Sequence, residues 1–594
     1  MNKITAIVPV MLMVTVNVMA QEQKRPNVIF ILTDDQGYGD LGCNGNPWLK
    51  TPNIDNLERQ SFSFTDFHSG TTSAPTRSGL MSGKYCNSVG VWHTIMGRSI
   101  LAQDVPVLPE LMKKGGYTTA MFGKWHLGDY YPYRPFDRGF DETLYHGGGG
   151  VGQTPDVWNN NYYNDTYLRN GVPEKTNGYC TDVWFSEAMK FIDNNKNKPF
   201  FVYLATNAPH GPHNVETKYS DLYKDVEEMP DPNYCGMVAN IDDNVGRLVD
   251  YLREKNLYEN TILVYMTDNG SGGGVALGKD KHVVKGFNAY MRGKKGSNYE
   301  GGHRVPFIMR VPGRTPKKIF SLSGYIDVMP TFLELCGLKE YIPEDIDGVS
   351  MVSLMDNDVE CERYMFADTQ RREYLSKGRS SCVMYKKWRL INGKELYNIL
   401  NDPSQRVNVA AEHPELVNEM KKQYDLWWEK SSEERADRFE AIYVGDPNQK
   451  KVLLYAHDLH NDNNKYPAWD QKIIRSGAPS IGYWALDVKK AGKYRVRFYR
   501  WVPGSGLAIN AAAPAVEENW GNVNHIKEGV VIDDIKRVEV MVDHKKVKSA
   551  RVNDKKEYAE VILKLDEGPC FLQGDFIRES GENLGMYYAT VELL

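Results

Sequence analysis

Two pairs of oxygen-bearing residues, Asp34-Asp35 and Asp268-Asn269, each stand just past an apolar run. The runs are Asn27-Val-Ile-Phe-Ile-Leu-Thr33 and Thr261-Ile-Leu-Val-Tyr-Met266. No His or Cys is spaced for zinc around them, and an oxygen-only donor set suits a hard cation such as Ca2+ or Mg2+. Either pair alone reads as turn chemistry after a strand. Two pairs on one rim favour a metal. A third pair, Asp242-Asp243, falls inside the helical pattern Met237–Leu252 and is expected to make helix contacts or face solvent. Two further runs, Thr118–Phe122 and Phe200–Ala205, lead into Lys124-Trp-His126 and into His210. A lysine there would neutralise an anion and a histidine would move a proton, although a single His after a strand is more often structural. Ser73-Ala-Pro75 adds a hydroxyl. Pro75 suits the first turn of a helix, which leaves Ser73 at an anion-favouring N-terminus, where it could equally be a plain cap.

These groups need elements that bring them to one place. The four runs are continuous rather than alternating, as strands buried on both faces are. Helical patterns lie between them, one opened by Thr51-Pro52, one over Thr181–Asn194 and one over Met237–Lys255. The alternation predicts an α/β domain with a largely parallel sheet between helices, over residues 21–360. In such sheets the site forms beyond the carboxyl ends of the strands, so all four polar clusters are expected on a single rim. Residues 361–440 read as a small antiparallel α+β subdomain closed by a helix from Pro414 to about Ala436. Short alternating segments then predict an all-β module, a sandwich, over 445–594.

A chain of 594 residues exceeds one hydrophobic core, and a net charge of −5 argues against a nucleic-acid-wrapping protein. Residues 1–20 combine Lys3, an apolar stretch and Val18-Met19-Ala20, which predicts a cleaved signal sequence and export to a periplasm or beyond. The stretch is too short for a membrane span. Eight cysteines carry no CxxC pair, and their spacing leaves any disulfides open.

The stretch Ser73-Ala-Pro75-Thr-Arg77 with Leu80-Met-Ser82-Gly83-Lys84 resembles the signature of type I sulfatases, whose first residue is oxidised to formylglycine. Pro26-Asn-Val-Ile, Thr33-Asp-Asp-Gln-Gly-Tyr-Gly, Gly123-Lys-Trp-His126-Leu-Gly, Ala208-Pro-His210, Thr267-Asp-Asn-Gly270 and Lys295-Gly-Ser-Asn-Tyr-Glu-Gly-Gly are similar to that family in the same order. Ser82 and Lys84 depart from the family's Thr and Arg but keep hydrogen-bonding or charge character. The resemblance covers about residues 26–440 and implies an alkaline-phosphatase-like α/β sandwich. It implies Ca2+ held by Asp34, Asp35, Asp268, Asn269 and the modified residue 73. Arg77, Lys124 and Lys295, the last preferred to Lys294 by the Arg292-Gly-x-Lys-Gly spacing, would neutralise sulfate. His210 would protonate the leaving alcohol after a hydroxyl of the hydrated aldehyde attacks sulfur. His126 would help remove the proton from the second hydroxyl, and His213 would contact substrate. Serine at position 73 implies maturation by a radical SAM enzyme, because the oxygen-dependent maturase of the family requires Cys.

Export, the extra β module and the aromatic stretches Asp129-Tyr-Tyr-Pro-Tyr133 and Trp158–Tyr163 point to a sulfated carbohydrate, with galactose or N-acetylgalactosamine sulfate the first expectation; the aromatic rings suit sugar stacking but could equally be packed under loops. Two rival readings are a phosphohydrolase using unmodified Ser73 and an inactive protein that binds sulfated glycans. Two glycine patterns mimic nucleotide loops. Gly147–Gly152 has no apolar strand pattern before it, and Gly273–Lys279 is followed by Asp280 where a P-loop has Ser or Thr. Both read as loops.

Overall fold

The structure, a computed structural model, describes residues 25–357, 362–433, 435–517 and 525–594. The expected signal sequence 1–20 and Cys361 lie outside these residues.

The four apolar runs are strands β1 (Asn27–Thr33), β2 (Thr118–Lys124), β3 (Phe200–Ala205) and β4 (Thr261–Thr267). They are adjacent in a ten-stranded sheet in the order β4-β1-β3-β2. All three pairings are parallel, with Thr33 opposite Thr267, Leu32 opposite Ala205, and Gly123 opposite Ala205. The carboxyl ends are therefore level. Outside this centre the sheet is mixed, with Phe307–Arg310 antiparallel to β4 and Thr166–Arg169 antiparallel to Glu142–His146.

The continuous apolar character of β1 follows from burial on both faces. Val28, Phe30 and Leu32 enter one core, together with Leu80 and Met81 of helix α1 (Ser73–Ser82). Ile29 and Ile31 enter the opposite core with α2 (Cys180–Asn195) and α3 (Pro232–Glu254). Each such side chain contributes about 1.5–3 kcal/mol of burial, so the strand that carries Asp34 is firmly anchored.

Helix α3 begins at Pro232, five residues ahead of the expected start. Asp231 caps it by accepting from the amides of Asn233 and Tyr234. The first turn, Pro-Asn-Tyr-Cys, carries too little apolar periodicity to announce itself. Asp242 makes helix contacts, accepting from the Ile54 amide at 2.8 Å at the start of helix Pro52–Arg59.

Beyond the sheet, Tyr364–Ala367, Cys382–Tyr385, Trp388–Ile391 and Glu395–Asn398 form a four-stranded antiparallel sheet, backed by helix Pro414–Ser432. Further on, a five-stranded and a four-stranded sheet enclose a separate core. The first strand of this module is Ile442–Val444. Along Tyr558–Leu565 buried and exposed residues alternate, as in a half-solvated strand. The seven described cysteines are all free thiols. Among the described residues no helix is long and apolar enough to cross a membrane.

One sequence expectation is overturned and one alternative is decided. A strand, Glu142–His146, does precede the glycine run Gly147–Gly152 directly, paired on both sides and buried from Thr143 to His146; its short, polar sequence Glu-Thr-Leu-Tyr-His hides it from an apolar-run criterion. Of the two readings of the aromatic stretches, packing holds for Tyr130, Tyr133, Tyr162 and Tyr163, which are buried, while Tyr131 and Trp158 stay partly exposed. Tyr130 and Tyr133 belong to the core of the β module.

Candidate active site

The level strand ends put four chemical groups side by side. Asp34 follows β1, Asp268 follows β4, Lys124 closes β2, and His210 comes five residues after β3. The Asp268 amide donates to the Thr33 carbonyl at 3.1 Å and the Asp34 amide to the Ala208 carbonyl at 3.2 Å, which ties three of these segments together. Two residues beside them, Asp35 and His126, hold the left-handed conformation with φ of 68° and 62°. Such a backbone costs about 1–3 kcal/mol at a non-glycine residue and persists where the surroundings over-determine it.

Ser73 is the first residue of α1, so its side chain sits at the positive end of that helix. Its hydroxyl donates to Asp34 Oδ1 at 3.0 Å, with Asn269 Oδ1 3.4 Å away. Asn269 in turn donates through Nδ2 to Asp35 at 2.9 Å. One carboxylate oxygen from each of Asp34, Asp35 and Asp268 falls within 4.8 Å of the others. This buried, oxygen-only cluster around Ser73 fits a hard divalent cation.

Each carboxylate also has its own cation. Lys124 Nζ lies 2.6 Å from Asp34, Lys295 Nζ 2.6 Å from Asp35, and Arg77 Nη2 2.9 Å from Asp268. Lys294 instead donates to the Val275 carbonyl, so Lys295 is the lysine of the cluster. Burial pushes the Asp34 and Asp35 carboxyls up, yet the nearby lysines and His210 outweigh it and hold both below the ordinary range. Arg77 is further fixed by donating to the Lys124 carbonyl at 3.0 Å and the Tyr203 hydroxyl at 3.3 Å.

The three histidines differ. His126 Nε2 lies 2.9 Å from the Thr94 carbonyl, and Nδ1 is buried without a hydrogen-bond partner among the described residues. His210 donates from Nδ1 to the Gly211 carbonyl at 2.7 Å and turns Nε2 toward Asp35 at 3.8 Å. His213 stands apart, with Nδ1 2.5 Å from Asp231, the cap of α3. Thus Asp34, Asp35, Ser73, Arg77, Asp268, Asn269, Lys124, Lys295 and His210 form one linked constellation. His126 stands two residues after Lys124. Thr94, Tyr203 and His457, whose ring centroid is 6.1 Å from that of His126, complete the surroundings and carry no motif by which sequence reasoning finds them.

A second cluster, His68, Glu300 and His303, also has metal-like spacing. Arg389 already fills it, 2.7 Å from Glu300 and 2.6 Å from Asp66, and the two His Nδ1 atoms lie 2.9 Å apart. It is an ionic network joining the antiparallel subdomain to the sheet.

The sulfatase family matches residues 26–338, and the family described as N-sulphoglucosamine sulphohydrolase, C-terminal, matches residues 294–429. Both matches end before the β module. The N-acetylgalactosamine-6-O-sulfatase of Bacteroides thetaiotaomicron is 27% identical over 492 residues, 67% of this chain and 92% of that protein. The N-acetylgalactosamine-6-sulfatase of Mus musculus is 29% identical over 359 residues, 56% of this chain and 66% of that protein. The crystal structure of Ps i-CgsB in complex with k-i-k-neocarrahexaose is 30% identical with a TM-score of 0.60, covering 70% of this chain and 99% of that one.

Proposed function

Because the chain belongs to the sulfatase family of sulfuric ester hydrolases, we propose that it hydrolyses O-sulfated carbohydrate at residue 73, oxidised from serine to formylglycine. The observation that carries this reading is the placement of Ser73 at a helix N-terminus, 3.0 Å from Asp34, in a carboxylate cluster whose members are each paired with a cation. Oxidised and hydrated, residue 73 supplies the hydroxyl that attacks sulfur.

Asp34, Asp35, Asp268, Asn269 and residue 73 would hold Ca2+, which supplies a fixed positive charge beside the nucleophile. Arg77, Lys124 and Lys295 stabilise the charge that develops on the sulfate oxygens, and their carboxylate partners keep them in place without reorganisation. His210 Nε2 delivers a proton to the departing alcohol oxygen. His126 Nδ1, which has a free lone pair, accepts the proton that must leave residue 73 when sulfate is expelled. His213, held by Asp231, contacts substrate from outside the carboxylate cluster.

The sugar class rests on the relatives, which are named for N-acetylgalactosamine 6-sulfate or bound to k-i-k-neocarrahexaose. A galactose or N-acetylgalactosamine sulfate is accordingly the first substrate to try. Export to a periplasm or beyond and maturation by a radical SAM enzyme complete the proposal. The catalytic unit would extend over 21–360, its subdomain over 361–440 and the β module onward to 594.

Peptide mass spectrometry over Ser73, on protein from its native host, tests the chemistry. Conversion to formylglycine removes about two daltons and creates the aldehyde that this mechanism needs. Unmodified serine throughout would defeat it.

A further inference from the structure

The C-terminal β module is not a free-standing attachment. Ile100, Tyr130 and Tyr133, all ahead of residue 150, are buried in its core. Its segment 457–471 runs along the catalytic rim. The His457 amide donates to Thr154 Oγ1 at 3.1 Å, and the His457 carbonyl accepts from the Met96 amide at 2.7 Å. The Thr154 amide donates to the Trp469 carbonyl at 3.0 Å, and the Gln471 amide to the Gly152 carbonyl at 2.9 Å. Gln471, itself buried, donates from Nε2 to the carbonyls of Gln153 (3.1 Å) and Asp156 (3.2 Å) and accepts from the Asn159 amide at 3.1 Å.

The glycine run held in this way touches both catalytic histidines. A Cβ on Gly149 would lie 2.3 Å from the His126 ring, and one on Gly150 3.3 Å from His210 Cε1. Only glycine allows the backbone to pass so close to His126. Beside His126, with ring centroids 6.1 Å apart, stands His457, 1% exposed, its Nδ1 2.8 Å from Asp458, whose other oxygen accepts from Tyr130 at 2.7 Å. His457 Nε2 is buried with no hydrogen-bond partner among the described residues.

We propose that the β module is a working part of the active site: through Gln471 and His457, as positioning residues, it holds the glycine run Gly147–Gly152 and the His126 ring and thereby shapes the side of the pocket that carries His126 and His210. The inference rests on the sulfatase reading only in taking His126 and His210 as the reacting histidines.

The test uses the full-length, mature enzyme with Gln471→Ala and, separately, His457→Phe. Each variant is followed by kinetics on a sulfated sugar, inhibition by inorganic sulfate, thermal unfolding, and hydrogen exchange of peptide 147–157. The expected result is a fall in kcat of about ten- to a hundred-fold, since misplaced reacting groups cost that much. Sulfate inhibition stays close to the parent value in both variants, Tm falls in Gln471→Ala because buried backbone groups lose their partner, and exchange at 147–157 accelerates in that variant. Parent-like kcat, KM and exchange in both variants would overturn the proposal and make the module an independent unit. A joint loss of kcat, sulfate affinity and Tm would overturn it too, by reducing both residues to stability. A parent enzyme that releases no sulfate defeats the sulfatase reading instead, and the exchange comparison still decides this one.

Discussion

The Nε2 atom of His126 lies 2.9 Å from the carbonyl oxygen of Thr94. A carbonyl can only accept, so Nε2 carries the ring hydrogen and Nδ1 keeps its lone pair. Burial, and after it the charges of Lys124 and His457, hold this ring well below the usual histidine range, so it is neutral at pH 7. His126→Asn keeps a donor toward Thr94 but removes the base. Its kcat should fall by about 10²–10⁴-fold while inhibition by inorganic sulfate is retained. Steady-state kinetics decide the point, and an unchanged kcat would remove His126 from proton transfer.

His210 should matter in proportion to how poor the leaving group is. A sugar alcohol needs a proton as it departs, whereas nitrophenolate does not. His210→Ala is expected to lose about 10²–10⁴-fold in kcat on a sulfated sugar and far less on nitrophenyl sulfate. Equal losses on both substrates would mean that the ring binds or positions rather than donates.

The same two rings set the pH dependence. Burial, then the charge of Lys295, draws the His210 ring below 6.5 against the pull of Asp35 and Asp34. As an acid, His210 must be protonated, so kcat/KM should decline as pH rises through its lowered pKa. As a base, His126 must be neutral, and its pKa is lower still. Because His126 acts after the alcohol has departed, it enters kcat and not kcat/KM; the optimum of kcat is therefore expected on the acid side of 6.5, and a profile still rising above pH 7 would contradict these roles.

Stripping the cation should cost both activity and stability. Chelation is expected to abolish turnover and lower Tm, and Ca2+ to restore both. Saturation to a hundred times Kd stabilises the fold by about 2.7 kcal/mol. Asp268→Ala should lose the calcium-dependent part of the Tm shift, read by scanning calorimetry. A Tm indifferent to chelator and calcium would leave the acidic cluster without a metal.

Acid stability should depend on Glu300. Burial pushes its carboxyl up, but Arg389, His68 and Arg304 together draw it down from 4.5 to about 2. A carboxyl lowered by folding stabilises above its unfolded pKa, and that contribution is lost as pH falls toward the folded value. Urea denaturation should thus show stability falling between pH 4.5 and about 2, and Glu300→Gln should flatten that part of the curve. Arg389→Met leaves Asp66 and Glu300 without their buried cation and should cost about 3–5 kcal/mol at pH 7.

The amino-acid sequence alone determines the central strands and the types of group at their ends. Asn27–Thr33 and Thr261–Thr267 are apolar throughout because both faces are buried, and Asp34 and Asp268 follow them by covalent continuity. Order in the chain also places Ser73 at the start of a helix, through Pro75. Which strands lie next to each other, and how level their ends are, is decided by sheet register, and this is what brings Asp34, Asp268 and Lys124 within reach of Ser73. The role of the aromatic stretches is likewise decided by tertiary packing, because a buried Tyr130 and a sugar-stacking one have the same local sequence. The surroundings of His126 are least legible of all: Thr94 acts through a backbone carbonyl, which every residue has, His457 comes from the far end of the chain, and the segment carrying Gly149 is held by Gln471, which reaches Gln153 across 318 residues. Local periodicity reports which face of an element is buried; it carries no record of the distant segment that does the burying.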